Sequence, residues 1–319
     1  MSKEHGVQYF PITLFASVMG FAGLTIASKH AENIFAWSSW LWVLLLSVTS
    51  MLFIINGGIL IYRLISFTSI VKTEFDHPVK MNFFGTIPIS FLLIAVSYFE
   101  INQHISFILW FVGALLQITL TLTIISNLIF KHTFDITHFN AAWFIPIVGN
   151  IIVPIAGNNF ISQDVNWVFF SIGILFSIIY LTFFFNRVFF HPAGPPMLLP
   201  TFFILLAPPA IGFVSYIKIT ETVDSFAYIL YGTAFFVGLL LLFQWQRFIK
   251  LPFMISFWAF LFPSAAITVA TGEMFIATNL IAYQILFTLQ FTALLFLGIY
   301  LLAKTVQWAF SGKLCVKDS

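Results

Sequence analysis

The chain has 319 residues, of which 61% are hydrophobic and 8% are charged, and its formal net charge is +2 at pH 7. A soluble protein of this length cannot bury so large an apolar fraction, so the composition excludes a soluble globular protein and indicates an integral membrane protein. With so few charges, nucleic acid is not an expected partner. The single cysteine, Cys315, excludes an internal disulfide.

Ten apolar stretches of membrane-spanning length follow one another along the chain. A helix needs roughly 20 apolar residues to cross a bilayer, and continuous apolar runs favour helices over the short alternating strands of a β-barrel. The stretches are predicted at 8–28, 37–66, 82–99, 105–130, 140–157, 165–188, 197–217, 224–248, 252–272 and 279–308. No linker divides them, so we predict one all-α integral membrane domain over 1–319, with short tails outside the embedded residues 8–308.

Basic residues are distributed unevenly between the two sides of this domain. Eleven lie near the termini or the connections that follow even-numbered stretches, whereas only Lys29 and Lys218 lie in connections that follow odd-numbered ones. Lysine and arginine are in excess on the cytoplasmic side of membrane proteins. We therefore predict a multi-pass protein of the cell (inner) membrane with both termini cytoplasmic, which requires an even number of spans.

Proline alternates along the stretches. Every second stretch from the third to the ninth holds an interior proline, and the first carries Pro11 near its start. A proline inside a soluble helix removes a hydrogen bond and bends the helix at a cost of about 3 kcal/mol. For one proline, a kink that only shapes packing is the simpler interpretation. A set on alternate helices favours bent helices that line a central pore and straight helices that face lipid. The predicted kinks are at Pro88, Pro146, Pro200, Pro208 and Pro263.

A faint internal repeat accompanies the prolines. His77-Pro78, His138-Phe139, His191-Pro192 and Leu251-Pro252 introduce the third, fifth, seventh and ninth stretches. The spacing of roughly sixty residues corresponds to one two-helix hairpin, and such self-similarity is typical of a ring of equivalent units. The sequence therefore predicts five parallel hairpin repeats around an axis.

Ionisable residues are expected outside the spans. Arg63 and Arg187, for example, are expected at span ends, where their side chains can reach water. Proton-coupled or sodium-coupled carriers usually keep an ionisable group at membrane depth, so its absence favours a passive pathway. Without a fixed negative charge in the pore, anions are the expected ions. The candidate polar contacts are Thr13, Ser17, Thr86, Asn140, Asn150, Thr201, Ser215, Ser264 and Thr268.

Phe262 is the candidate pore gate. Most of the 43 phenylalanines are expected to face lipid or to pack between helices, but Phe262 directly precedes Pro263. A ring at a proline bend can project into a narrow pore and close it by occlusion or dewetting. The seven histidines form no helical pair with another ligand, and no nucleotide-binding loop or nucleophile elbow is present, so neither a metal, a cofactor nor catalysis is expected.

Four motifs resemble a known family. They are His77-Pro78-Val79-Lys80-Met81-Asn82-Phe83 with Ile87-Pro88-Ile89, Phe144-Ile145-Pro146-Ile147-Val148-Gly149-Asn150, Leu206-Ala207-Pro208-Pro209-Ala210 with Ser215-Tyr216, and Phe257-Trp258-Ala259-Phe260-Leu261-Phe262-Pro263. In this order they resemble the third, fifth, seventh and ninth helices of the tellurite-resistance/dicarboxylate transporter family, which includes bacterial TehA and the slow anion channel of plant guard cells. The resemblance spans essentially the whole chain.

The resemblance implies ten transmembrane helices in five hairpins with quasi-fivefold symmetry, usually assembled as a homotrimer with one pore per subunit. It also implies that a phenylalanine on the ninth helix blocks the pore, and Phe262 is the matching position. The short tails of this chain leave no room for the long regulatory ends of the plant channels.

We therefore expect an anion channel or uniporter that passes small anions such as chloride or nitrate down their electrochemical gradient. One charge crossing the membrane is worth about 2.3 kcal/mol per 100 mV, so the membrane potential alone can drive anion export. The alternative is a proton-coupled carrier of malate or a related dicarboxylate. A third reading, a membrane enzyme or an assembly partner, would require a polar cluster at a helix end, and the histidines are too dispersed for one.

Overall fold

A computed structural model describes residues 6–131, 134–192 and 194–316. All long elements in these ranges are helical, which confirms the predicted all-α membrane fold. In chain order they are α1 (Ile12–Phe35), α2 (Trp40–Ser66), α3 (Lys80–Tyr98), α4 (Gln103–Phe130), α5 (Ala141–Gly157), α6 (Gln163–Phe190), α7 (Pro196–Thr220), α8 (Ser225–Phe243), α9 (Ile255–Thr278) and α10 (Ile281–Phe310). Short helices at Val7–Tyr9, Thr68–Asp76, Ile136–His138 and Trp245–Ile249 lie before or between them.

Nine of these segments, within the described ranges, are long and apolar enough to cross a membrane, and α5 is shorter. At 1.5 Å per residue α5 rises about 25 Å, which is less than the roughly 30 Å of hydrocarbon in a bilayer. The predicted span at 140–157 coincides with α5. Ten crossings therefore remain a prediction.

The segments divide into an inner and an outer set. In the most apolar window of α1, α3, α7 and α9, between 72% and 78% of the residues are buried, against 22% to 33% in the even-numbered segments. The α-helical part of α5 is almost entirely buried. An outer helix can leave its apolar side chains exposed because lipid covers them. The odd-numbered segments are thus inside and the even-numbered ones outside, as the alternation of prolines predicts.

The inner segments form a closed ring. The segment α1 packs against α3, α3 against α5, α5 against α7, α7 against α9, and α9 returns to α1. Each outer segment packs against its own hairpin partner. The segments α4 and α6 also contact the next inner segment, and α10 closes the ring on α1. The backbone N–H of Gly6 donates to the carbonyl of Cys315 at 3.2 Å, so both chain ends lie at one face, called here the terminal face.

Most inner segments begin at the terminal face with a 3-10 helix before they become α-helical. The 3-10 parts are Ile12–Leu14, Ala141–Phe144, Pro196–Leu206 and Ile255–Phe260, and α3 instead breaks between Phe83 and Thr86. Pro88, Pro146, Pro208 and Pro263 all lie in the first turn of the α-helical part that follows, whereas Pro200 lies within a 3-10 part. These five positions are the predicted kinks, and their role in bending the helices remains a prediction.

A first-turn proline needs no hydrogen bond from its own nitrogen, because the first N–H groups of an α-helix have no intrahelical partner. At three of these prolines, the carbonyl that the proline would have left unpaired is also satisfied. The carbonyl of Phe84, four residues before Pro88, accepts from the N–H of Ile87 at 3.1 Å. The carbonyls four residues before Pro146 and Pro208 are bonded in the same way. The interior-proline cost of about 3 kcal/mol therefore does not apply at Pro88, Pro146 and Pro208.

A buried polar cluster holds α4 against the junction in α5. The side chains of Gln117 and Thr121 donate to the carbonyl of Pro146 at 2.6 Å and 2.9 Å. Asn150 donates to the Thr121 hydroxyl at 2.9 Å. All three side chains are buried. Gly149 provides the space, since a Cβ there would collide with the Gln117 amide.

The two arginines expected at water-accessible span ends are instead buried. The Arg63 guanidinium, whose side chain is 1% exposed, donates to Glu74 Oε2 at 2.8 Å and to the carbonyl of Gln8 at 3.0 Å. Arg187 donates to the carbonyls of Pro192 and Thr137. For Arg63 the expectation was wrong because Glu74 lies on the short helix Thr68–Asp76, which folds back over the end of α2. Buried charge of this kind is tolerated only when it is paired.

We expect Thr121→Val to destabilise the protein by about 1 kcal/mol, because it removes the hydroxyl that connects Gln117, Asn150 and the Pro146 carbonyl. Thermal unfolding in detergent measures the effect. Thr119→Val is the matched control, since the Thr119 hydroxyl is exposed on the same helix and bonds only within it. Equal melting temperatures for the two variants would contradict the structural role of the cluster.

We expect Gly20→Ala to destabilise the protein by about 1–3 kcal/mol through overpacking. A Cβ at Gly20 would lie 2.7 Å from Leu261 Cδ2 and 2.9 Å from Leu261 Cβ, so α1 and α9 would have to separate. In contrast, a Cβ at Gly57 of α2 meets nothing within 4 Å, so Gly57→Ala should leave the melting temperature unchanged or raise it. An unchanged melting temperature for Gly20→Ala would contradict close contact between α1 and α9.

Candidate ion pathway

A small cavity of about 30 Å³ lies on the side of the ring nearer the terminal face. All five inner segments contribute to its wall. The lining residues that carry the argument are Thr13 and Met19 of α1, Thr86 and Ile89 of α3, Ile145 and Val148 of α5, Ile204 and Ala207 of α7, and Ser256, Phe262 and Pro263 of α9. Because elements from the whole ring meet here, the cavity lies near the axis.

Phe262 forms part of this wall and is 5% exposed. It is the second residue of the α-helical part of α9, one position before Pro263. Its ring lies against α1 at Gly23, where a Cβ would be 3.6 Å from Phe262 Cδ2 and 2.7 Å from the Cβ of Ala265. Glycine at position 23 lets α1 approach α9 closely at the level of the ring. The sequence pattern located Phe262 but gave no reason to single out Gly23.

The structure brings only one of the five predicted kink prolines to the cavity wall. Pro263 lines the cavity beside Phe262, whereas Pro88, Pro146, Pro200 and Pro208 do not. Residues close to three of them do line it, however, namely Thr86, Ile145 and Ala207 (listed with their segments above). Pro88, Pro146, Pro208 and Pro263 therefore lie at the level of the cavity.

A larger cavity of about 540 Å³, called here the vestibule, lies toward the opposite face. It too is lined by all five inner segments, with Trp42 added from α2. Its polar lining residues are Thr25, Lys29, His30, Ser97, Glu100, Asn158, Asn159, Lys218, Glu221 and Glu273. The size and polarity of the vestibule suit a space filled with water.

The interval between the two cavities is uncharged, mostly apolar and tightly packed. On α5, Val148 lines the small cavity and Ile155 lines the vestibule, and Ile152 between them is 1% exposed. Leu93 and Ile211 occupy the equivalent interval on α3 and α7 and are also buried. Seven residues of helix correspond to about 10 Å. No charged residue occurs in this interval on any inner segment.

Ionisable residues nevertheless occur at the vestibule ends of three inner helices, contrary to the expectation from the sequence. Lys29 and His30 belong to α1, Lys218 belongs to α7, and Glu273 belongs to α9. The sequence placed all four in connecting loops because the hydrophobic stretches end before the helices do. Each helix continues for one or two polar turns beyond its apolar part.

These groups form two ionic clusters in the vestibule. Glu273 Oε1 lies 3.2 Å from His30 Nε2 and 3.0 Å from Lys218 Nζ. Lys29 Nζ lies 2.9 Å from Glu100 Oε2, 3.4 Å from Glu32 Oε1, and 4.8 Å from the centroid of the Trp42 ring. Within the described residues, no group of three or more histidine, cysteine, aspartate and glutamate side chains is arranged to hold a metal ion.

Several known proteins are similar to this chain in sequence over most of its length. An uncharacterized transporter of Methanocaldococcus jannaschii is 24% identical over 97% of each chain. The S-type anion channel SLAH2 of Arabidopsis thaliana is 25% identical over 94% of this chain, which spans 59% of the plant protein. A tellurite resistance protein TehA homolog of Haemophilus influenzae is 26% identical over 80% of this chain and 78% of its own. None of the three names describes an enzyme.

A family model described as a voltage-dependent anion channel, SLAC1, matches residues 9–306. The matched region includes all five inner segments and both cavities. The resemblance indicated by the four proline-containing motifs is thereby confirmed. The protein belongs to the SLAC1 family of voltage-dependent anion channels.

Proposed function

We propose that the protein is a passive channel for small anions, which move along the axis of the inner ring between the vestibule and the terminal face. The observation that carries the proposal is the uncharged interval between the two cavities. An ion crosses this interval without meeting a fixed charge, so no opposite charge traps it there. Family membership supports anions as the ions that pass.

Proton-coupled malate transport is not favoured. A coupled carrier usually has an ionisable group at membrane depth. Lys29, His30, Lys218 and Glu273 line the vestibule, where Lys218 is 45% exposed, and no charged residue of the inner helices lies in the interval between the cavities. The membrane potential supplies about 2.3 kcal/mol per 100 mV for each charge, so passive flow of chloride, nitrate or a similar anion needs no second driving ion and no cofactor.

Phe262 is proposed as the gate. Its ring lines the small cavity, is almost fully buried and lies beside Gly23. An apolar ring at a narrow point of a pore blocks ions both by filling the space and by excluding water. We propose that Pro88, Pro146, Pro200, Pro208 and Pro263 hold the bends that bring the pore-lining segments together at this level.

The architecture is proposed as ten crossings in five hairpins with quasi-fivefold symmetry. The closed ring of five inner segments supports the symmetry, and the full burial of α5 explains how a shorter segment can serve as a crossing inside the protein. The excess of basic residues near the terminal face supports cytoplasmic termini in the cell (inner) membrane. A homotrimer with one pore per subunit is proposed from the family resemblance, and native mass spectrometry tests it.

Phe262→Ala tests the channel and the gate together. In planar bilayers with chloride and nitrate on opposite sides, we expect the wild type to be nearly silent and the variant to conduct anions at least tenfold more strongly. Phe260→Ala is the matched control, because the Phe260 ring is buried on the same helix but packs against Phe203 and Phe248 instead of lining the cavity. Silence of Phe262→Ala, with labelled malate uptake driven by a proton gradient, would show that the protein is a coupled carrier.

Cysteine labelling tests the orientation. Replacing Cys315 with serine leaves no cysteine in the chain, so single cysteines can be introduced by Ser311→Cys at the terminal face and Thr222→Cys at the opposite face. Both positions are exposed. In intact cells we expect a membrane-impermeant maleimide to label the Thr222→Cys protein and to label Ser311→Cys only after lysis. The reverse pattern would contradict cytoplasmic termini.

A further inference from the structure

The ionic cluster of His30, Glu273 and Lys218 links three of the five inner helices in the vestibule. His30 lies on α1, Glu273 on α9 and Lys218 on α7, and all three line the cavity. The side chains of His30 and Glu273 are 15% and 12% exposed. This cluster has no part in the apolar barrier or in the proposed gate, so its role needs a separate explanation.

The hydrogen bonds of His30 define where its protons are. Nδ1 lies 3.0 Å from the carbonyl oxygen of Ile26, which can only accept, so Nδ1 carries a hydrogen. Nε2 lies 3.2 Å from Glu273 Oε1. In a neutral imidazole with its hydrogen on Nδ1, Nε2 is an acceptor, and its lone pair would face the carboxylate oxygen. For both contacts to be hydrogen bonds at once, the imidazole must carry a second proton, on Nε2, which then donates to Oε1.

Other charged residues surround the contact between His30 and Glu273. They are Lys29 and Glu32 on α1, Glu100 just after α3, Lys218 on α7 and Glu221 just after α7. Lys29 is engaged by Glu32 and Glu100, and Lys218 bonds the same Glu273 oxygen that faces His30. The neighbouring outer segments contribute Trp42 of α2, Tyr231 of α8, whose hydroxyl bonds Thr271, and the Phe287 ring of α10.

We propose that His30 and Glu273 form a proton-binding site that makes anion flow through the vestibule dependent on pH. The proposal rests on the proposed channel function. With the proton bound, the cluster of His30, Glu273 and Lys218 carries a net charge of +1. When the proton is lost, the cluster is neutral and the bridge between α1 and α9 is broken. Acid therefore adds one positive charge at the mouth of the pathway.

The sign and size of the effect follow from this charge. A positive charge raises the local concentration of anions, so conductance rises as the pH falls. One unit charge at roughly 6 Å in a water-filled space changes anion occupancy by about threefold. The site lies on the vestibule side of the apolar barrier, so its proton does not need to cross the membrane. It modulates flow without coupling protons to transport.

The first experiment measures anion conductance of Phe262→Ala in planar bilayers at 50 mM chloride, with the pH of both solutions changed from 8 to 5.5, the range in which imidazole groups titrate. We expect conductance to rise about threefold, and to change little when His30→Gln is added. His104→Gln is the matched control, because His104 is exposed at the start of α4 on the same face but outside the vestibule. At 1 M chloride the rise should largely disappear through screening.

An unaltered pH response in Phe262→Ala/His30→Gln would overturn the proton site, even though the channel function would stand. A silent Phe262→Ala protein at every pH would instead contradict the proposed function. Proton binding can then be tested without transport, by following the His30 imidazole signal in a nitrogen NMR titration of the wild-type protein in detergent.

In that titration the His30 signal is identified as the one that is absent from the spectrum of the His30→Gln protein. Glu273→Gln removes the carboxylate that shares the proton, so we expect the His30 transition to differ between the wild type and Glu273→Gln. The pH dependence of the His104 signal should be the same in the wild type and Glu273→Gln. A His30 transition that is the same in wild type and Glu273→Gln would contradict a shared proton, whatever the conductance experiments show.

Discussion

Every backbone N–H and C=O inside a membrane must find a partner within the protein, because lipid offers none. This constraint decides how the inner segments can contain so many prolines. A proline in the middle of an α-helix leaves a carbonyl without its donor, but a proline in the first turn does not remove a bond that the helix would otherwise make. The 3-10 parts that precede Pro146 and Pro208 supply the missing donor from the residue before the proline. At Pro146 and Pro208 the inner helices can therefore change geometry without leaving that carbonyl unpaired.

The level at which the inner helices change geometry is also the level of the small cavity, which is the narrow part of the ring. The change from 3-10 to α geometry occurs at the wall of the small cavity in α5, α7 and α9. A local change of helical geometry alters the direction of the side chains that follow it, so Phe262 can turn into the ring while the rest of α9 packs against α1. Gly20 and Gly23 allow this packing because a side chain at either position would collide with Leu261 or Ala265. The ring of helices and the position of Phe262, the proposed gate, thus depend on the same contacts.

Much of the fold was readable from the sequence because hydrophobicity and proline are strong local signals. The apolar stretches predicted the long segments, and the alternation of prolines predicted which of them lie inside. The sequence was less informative where tertiary contacts decide the outcome. Arg63 is buried only because the helix that carries Glu74 folds back over it, and no periodic pattern reveals that. His30 and Glu273 were assigned to loops because hydropathy marks where the apolar part of a helix ends, whereas both helices continue beyond that point. Gly23 is far from Phe262 in the sequence, and His30 is far from Glu273. Only the structure shows that the members of each pair are in contact.

The distribution of charge along the axis separates the two tasks of a passive anion pathway. In the vestibule, Lys29 and Lys218 are each paired with a carboxylate, so these cations influence a passing anion without presenting a bare charge that would bind it tightly. In the apolar interval and at Phe262 no charge is present, and the barrier there comes from removing water from the ion. A channel must attract its ion and still release it. Placing the charges only where water remains, and leaving the narrow part neutral, meets both requirements without a coupled driving force.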